Sequence, residues 1–185
     1  MTGPITTTAR LPRSGNAALA AGALVQAAVG AEFVLAGLSK VVDADFATQF
    51  RGFVKASPGA ISGPLSGLAQ SLLVPNAELF AELARWTELI AGAILLVAAL
   101  EVLRRRLSEP LGAQHRYEPA LALLSSLSAF ALAAMSLSIY LLQGARLPMV
   151  NPGFAFTSPI AVELLLVPLA LGIAWLEFGR YRALQ

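Results

Sequence analysis

The chain has 185 residues, of which 57% are hydrophobic and only 13% are charged, so it lacks the polar residues that cover the surface of a soluble domain. Its net charge of +2 is too small to indicate nucleic-acid binding. Because cysteine is absent and His115 is the single histidine, thiolate, iron–sulfur, covalent haem and bis-histidine haem sites are excluded within one chain, and any redox centre must be diffusible or held by a partner.

The first predicted element is a membrane-spanning helix over residues 16–39, preceded by a polar tail at 1–15. Its apolar run of about 22 residues would extend ~33 Å, which matches the hydrocarbon core of a bilayer. Because a carboxyl costs a few kcal/mol in lipid, we expect Glu32 to face other helices. Gln26, on a stripe of mostly small residues, is expected to form an interhelical hydrogen bond. A cleaved signal peptide is the alternative, but the apolar run continues to Leu38, which favours a retained helix.

The segment at 40–75 differs from the rest of the chain. It first places apolar side chains on one helical face and charged ones on the other, as in an amphipathic helix at a membrane surface. The apolar set is Phe46, Phe50, Phe53 and Val54, and the charged set is Arg51 and Lys55. Proline–glycine pairs follow, and the remaining apolar piece is too short to cross a bilayer. We therefore predict an amphipathic or re-entrant outer segment.

Three further membrane-spanning helices are predicted over residues 77–103, 119–142 and 159–178, followed by a tail at 180–185. The fold class is therefore an all-α bundle of four transmembrane helices, forming one domain over 16–179. Eight of the 13 Lys and Arg residues fall in the two tails and in the loop between the second and third helices. Because cytoplasmic segments carry an excess of basic residues, both termini are predicted to be cytoplasmic, in the inner membrane.

With this orientation, acids from three helices fall in the outer half of the membrane, near three cations. The acids are Glu32, Glu88 and Glu163, and the cations are Lys40, Arg85 and Arg146. Charged side chains that share one depth in a small bundle indicate a functional site. The alternative is a structural ion network that fixes the helix register. Asn151, with Phe154 and Phe156, lies in the last outer loop, where it could cover such a pocket.

Short motifs on three of these helices resemble the DoxX-like family. The first motif is an aromatic residue, A-G-x-x-K, and then Asp and Phe, here Phe33, Ala36, Gly37, Lys40, Asp43 and Phe46. The second is E-x-x-x-G-x-x-L-L, here Glu88, Gly92, Leu95 and Leu96. The third is an acid with a leucine run, here Glu163, Leu164, Leu165 and Leu166. That family comprises small four-helix membrane proteins and includes MauE-like proteins and the small subunits of thiosulfate:quinone oxidoreductases.

The resemblance implies a bacterial or archaeal inner-membrane protein that works with partner subunits in quinone-linked redox, sulfur or oxidative-stress chemistry. The first hypothesis, which combines this resemblance with the cluster of acids and cations, is a DoxX-like membrane subunit with an outer-leaflet pocket for a quinone headgroup or a small anion. Lys40 or Arg85 would polarise an oxygen, and Glu88 or Glu32 would relay protons, with Glu163 as a further candidate. Arg146 and Asn151 are candidate ligand-binding residues, while no metal site and no covalent cofactor are predicted. The alternative is a non-catalytic membrane scaffold or accessory subunit of a larger complex.

Overall fold

The computed structural model describes residues 13–108, 117–148 and 160–185, with side chains from 18 to 104 in the first of these ranges. Four long helices in these ranges are long and apolar enough to cross a membrane. They are α1 (Arg13–Val42), α5 (Ala77–Ser108), α6 (Glu118–Leu142) and α7 (Val162–Ala183). Between α1 and α5 lie α2 (Phe46–Ala56), α3 (Pro58–Ser62), α4 (Ser66–Leu68) and a π-helical turn at Ala69–Leu73. The predicted all-α fold with four membrane-spanning helices is confirmed.

Three of the long helices extend at least three residues beyond a predicted end. α1 covers Arg13–Val42 and not 16–39, and α5 ends at Ser108, five residues beyond the predicted end at 103. α7 continues to Ala183, five residues beyond the predicted end at 178, so most of the predicted tail at 180–185 is helical. Arg180 pairs with Glu177 one turn earlier, which is a contact that stabilises the last turns of a helix. The predicted start of this helix at 159 lies outside the described residues, but residues 160 and 161 are described and are not helical, so α7 begins later than predicted, at Val162.

The long helices form two close pairs. α1 packs mainly against α5, α6 packs mainly against α7, and α5 also contacts α6, which joins the pairs. Side chains from all four helices meet in one apolar core, which includes Val29, Phe33, Leu95, Leu132 and Ile173. One end of the bundle, here called the α2 end, is where α1 ends, α5 begins, α6 ends and α7 begins. The opposite end is called the terminal end.

The backbones of α1 and α5 touch at glycines. A Cβ on Gly37 would lie 2.7 Å from the backbone nitrogen of Leu89, and one on Gly92 would lie 2.8 Å from that of Val34. Both distances are too short for any side chain to replace the hydrogen without moving a helix. A Cβ on Gly30, which lies on the same stripe of small residues as Gln26, would likewise lie 2.9 Å from the backbone nitrogen of Leu96.

The short helices dock on the α2 end through a second, smaller apolar cluster. Its buried members are Val54, Ala60, Ala69 and Leu142, which come from α2, α3, the π-helical turn and α6. Partly buried Phe50 packs against them. Arg51, at the edge of this face, is exposed and pairs with Glu78 of α5 at 3.4 Å. The segment is therefore amphipathic as predicted, but Phe53, which was expected on the apolar face, is exposed, and Phe50 and Val54 are the side chains turned onto the bundle.

Candidate functional site

An ion pair joins α1 to α5 at the α2 end of the bundle. The Nζ of Lys40 donates a hydrogen bond to the carboxylate of Glu88 and lies 3.5 Å from the carbonyl oxygen of Ala36. The Glu88 side chain is only 4% exposed, whereas that of Lys40 is 26% exposed. The ring of Phe46, from α2, lies 6.0 Å from the same Nζ. The Glu88 carboxylate is thus buried between α1 and α5, and the Lys40 ammonium lies between this carboxylate and the surface of the bundle.

The local sequence explains why these two charges meet. Gly37 lets α1 approach the backbone of α5 at Leu89, the residue after Glu88. Lys40 follows Gly37 by three residues and so falls on nearly the same face of α1. Because helical side chains lean toward the N-terminus, the long stem of Lys40 points back to the level where the helices touch. The glycine therefore sets the distance across which the lysine reaches the acid.

Glu32 does not face other helices, so that expectation was wrong. Its side chain is exposed, and no hydrogen bond or ion pair joins it to any other described residue. Among the described residues, Glu32 interacts electrostatically with the like charge of Glu88. The physical reason is the helix phase: Gly30, Phe33 and Gly37 form the side of α1 that packs on α5, and residue 32 falls on the far side.

The remaining candidate residues lie in separate local contacts. Arg85 pairs with Glu82 one turn earlier on α5, with Nε to Oε2 at 2.8 Å, and the indole of Trp86 donates to the same oxygen at 3.1 Å. The amide of Gln143, at the end of α6, donates to Glu163 of α7 at 3.0 Å.

Two candidates lie in the last loop between α6 and α7. Arg146 is exposed, and its carbonyl oxygen accepts a hydrogen bond from the hydroxyl of Tyr140 at 3.0 Å. Asn151 lies outside the described residues, as do Phe154 and Phe156. Among the described candidates, the structure therefore brings Lys40 and Glu88 together, and it does not join the three acids through hydrogen bonds or ion pairs.

A second buried polar network involves an acid that the sequence reasoning missed. Gln26 donates from its side-chain amide to Ser125 Oγ of α6 at 2.9 Å and to the carbonyl oxygen of Leu95 of α5 at 3.3 Å. The predicted interhelical hydrogen bond of Gln26 is thus confirmed. Glu177 of α7 is only 5% exposed, interacts with the same glutamine and pairs with Arg180 at 3.3 Å. The signal was present in the sequence, since Glu177 shares a helical face with buried Ala170, Ile173 and Ala174.

A shallow groove of about 440 Å³ lies between α5 and α6. It is on the face of α5 opposite to the face that contacts Lys40. Its walls are mostly leucine, isoleucine and alanine, with Glu82, Trp86, Thr87 and Ser128 as its polar or amphipathic members. The carboxylate of Glu82 already accepts hydrogen bonds from Arg85 and Trp86. The groove thus offers apolar surface more than free hydrogen-bonding groups.

The described part of the chain shows no metal site, and no relative indicates a function. The described residues contain no group of three or more His, Asp or Glu side chains placed to hold a metal ion. Comparison of the chain with protein-family models, with curated proteins and with solved structures found no match. Within the described residues, the partly exposed ammonium of Lys40 in front of the buried carboxylate of Glu88 is the arrangement best suited to bind an oxygen and hold a proton.

Proposed function

We propose that the chain is a DoxX-like integral-membrane subunit of a quinone-linked redox system, in which Lys40 and Glu88 bind the quinone headgroup. The observation that carries the proposal is the unequal exposure of the pair, with the lysine reachable at the bundle surface and the carboxylate behind it. A ligand oxygen can approach the ammonium without separating α1 from α5. Phe46 lies beside the same ammonium and offers an aromatic surface to a flat ring.

The proposed roles follow from the hydrogen-bond donors of the Lys40 ammonium. The Lys40 Nζ carries three donor hydrogens, and the bonds to Glu88 and to the carbonyl oxygen of Ala36 use two of them. The third can be donated to a quinone carbonyl oxygen, which draws electron density from the ring and favours reduction. Full reduction adds two electrons and two protons to give the quinol. Lys40 would transfer its ammonium proton to the quinone, and water at the bundle surface would return a proton to the Lys40–Glu88 pair after each of the two transfers. The electrons would come from a redox-active partner subunit, since this chain has no cysteine and one histidine.

The proposed setting is the inner membrane of a bacterium or archaeon, with both termini in the cytoplasm. Its support is the distribution of basic residues along the sequence, eight of which fall within residues 10–13, 104–116 and 180–182. The Lys40–Glu88 pair would then lie near the outer surface, at the depth of quinone headgroups. Lipids surround the four spans, and further protein subunits would supply the electron donor.

The test is quinone binding by the purified full-length chain. Decylubiquinone and a naphthoquinone of equal tail length are titrated in detergent micelles, and binding is followed by quenching of Trp86 and Trp175 fluorescence. Lys40→Met is expected to weaken binding about tenfold, the loss expected for one charge-assisted hydrogen bond. Lys55→Met is the matched control, because Lys55 is an exposed lysine of α2. Equal affinity of the parent and the Lys40→Met variant would contradict the proposal.

A second candidate function is a non-catalytic scaffold or accessory subunit. It is favoured by one observation: in the described part of the chain, every buried side-chain nitrogen or oxygen already has a hydrogen-bond partner. On this interpretation the Lys40–Glu88 pair only fixes the register of α1 on α5. A variant with Lys40→Met and Glu88→Leu would then support assembly of the larger complex as well as the parent chain does, and neither protein would bind the quinones.

A further inference from the structure

The exposed carboxylate of Glu32 lies far from either end of its helix. The span of α1 runs over Ala18–Val42, which places Glu32 ten residues, or ~15 Å, from the α2 end and ~21 Å from the other. A hydrocarbon core is about 30 Å thick, so this carboxylate lies near its middle. The other exposed charged side chains of the described spans lie at helix ends: Glu78, Arg104 and Arg182. They can reach water or headgroups, whereas Glu32 cannot.

The residues around Glu32 form a continuous outward face of α1. We call it the α1 seam, and its members are Ala21, Val25, Ala28, Glu32, Leu35 and Ser39, all of which are exposed. Their spacing alternates between four and three residues, which is the spacing by which one helix packs along another. Alanine and serine supply three of the six positions, so a second helix can come close to this backbone. No described helix of this chain covers the seam.

We infer that the α1 seam binds a transmembrane helix of another protein, which places a lysine or arginine opposite Glu32. Lipid tails offer no hydrogen bond or charge to an ionised carboxyl, so lipid alone would leave it costly. A second copy related by a two-fold axis would bring two Glu32 carboxylates toward each other, and like charges repel in a medium of low dielectric constant. A basic side chain on a partner helix satisfies the charge. This inference does not depend on the quinone site at Lys40.

Site-specific photo-crosslinking of the full-length chain in its native membranes tests the partner. A diazirine amino acid replaces Val25 on the α1 seam or, as the matched control, Val97 on α5, another exposed valine, which the α1–α5 contacts place about one helical turn from the depth of Val25. The expected result is a protein adduct at position 25 and lipid adducts alone at position 97. Mass spectrometry of the adduct should locate a transmembrane segment with Lys or Arg within about one helical turn of the depth of Glu32. Adducts at position 25 with lipid only, or with a second copy of this chain, would overturn the inference.

A model peptide tests the charge separately. The purified chain is reconstituted into phosphatidylcholine vesicles with a single-span Leu/Ala peptide that carries either Arg or Leu at its centre, and association is measured by energy transfer. The Arg peptide is expected to bind about tenfold more tightly than the Leu peptide. Glu32→Gln should abolish this preference, and Glu78→Gln, an exposed acid at the helix end, should keep it. Equal binding of both peptides to the parent, or a preference that survives Glu32→Gln, would refute the role of the charge.

Discussion

The two partners of the Lys40–Glu88 pair should differ in how much stability their replacement costs. Lys40→Met removes the charge and keeps the stem, and it leaves the Glu88 carboxylate, 4% exposed, without its cation. Loss of one partner of a buried pair costs about 3 kcal/mol in the free energy of unfolding. Glu88→Leu leaves Lys40 26% exposed, beside the Ala36 carbonyl and the Phe46 ring. That ammonium keeps favourable contacts, so the expected cost is about 1 kcal/mol.

The double variant Lys40→Met/Glu88→Leu completes a double-mutant cycle. With both charges gone, Met and Leu can pack against each other, and the free energy of unfolding is expected to lie within about 1 kcal/mol of the parent. Unfolding is measured by SDS titration in mixed micelles, with tryptophan fluorescence and far-ultraviolet circular dichroism as two independent probes. Lys55→Met, an exposed lysine of α2, is the control and should change nothing measurable. The prediction is contradicted if Lys40→Met lowers the free energy of unfolding no more than Glu88→Leu does. It is also contradicted if the loss in the double variant equals the sum of the two single losses.

Three further predictions concern packing and use the same unfolding assay. Gly37→Ala should destabilise the bundle by about 1–3 kcal/mol because its Cβ would strike the backbone of α5, whereas Gly172→Ala, in open space on α7, should be neutral or slightly stabilising. Gln26→Leu should cost about 1–2 kcal/mol through its lost interhelical hydrogen bonds, and a neutral outcome would mean that they contribute nothing. Val54→Ala should cost about 1.6 kcal/mol and speed tryptic cleavage of α2, unlike Val42→Ala at an 80% exposed site.

The fold could be predicted because the signals that determine it are local. Four long apolar runs and the amphipathic pattern of α2 are visible in single segments, and each corresponds to a helix in the structure. The hydrogen bond of Gln26 could also be predicted, since a buried amide in a spanning helix has few alternatives to a neighbouring helix. These inferences needed no knowledge of which helices are neighbours.

The candidate site could be predicted only in part, because it depends on which face each helix turns to its neighbour. The depth of Glu32 could be estimated from its position in the chain, but its direction is set by the glycine contacts between α1 and α5. The hydrophobic run of α1 is apolar on nearly all sides, so no amphipathic pattern indicated which side would be buried. Glu177 was missed for the related reason that an acid three residues before an arginine near a chain end is typical of a solvated helix end.

The Lys40–Glu88 pair has a consequence for how the chain enters the membrane. The two residues are 48 positions apart, so at a synthesis rate of about 5–20 residues per second α1 precedes its partner by roughly 2–10 s. During that interval Gln26 and Lys40 lack the hydrogen bonds that α5 later accepts from them. Insertion machinery, or a subunit already resident in the bilayer, must shelter the nascent first span until the second arrives.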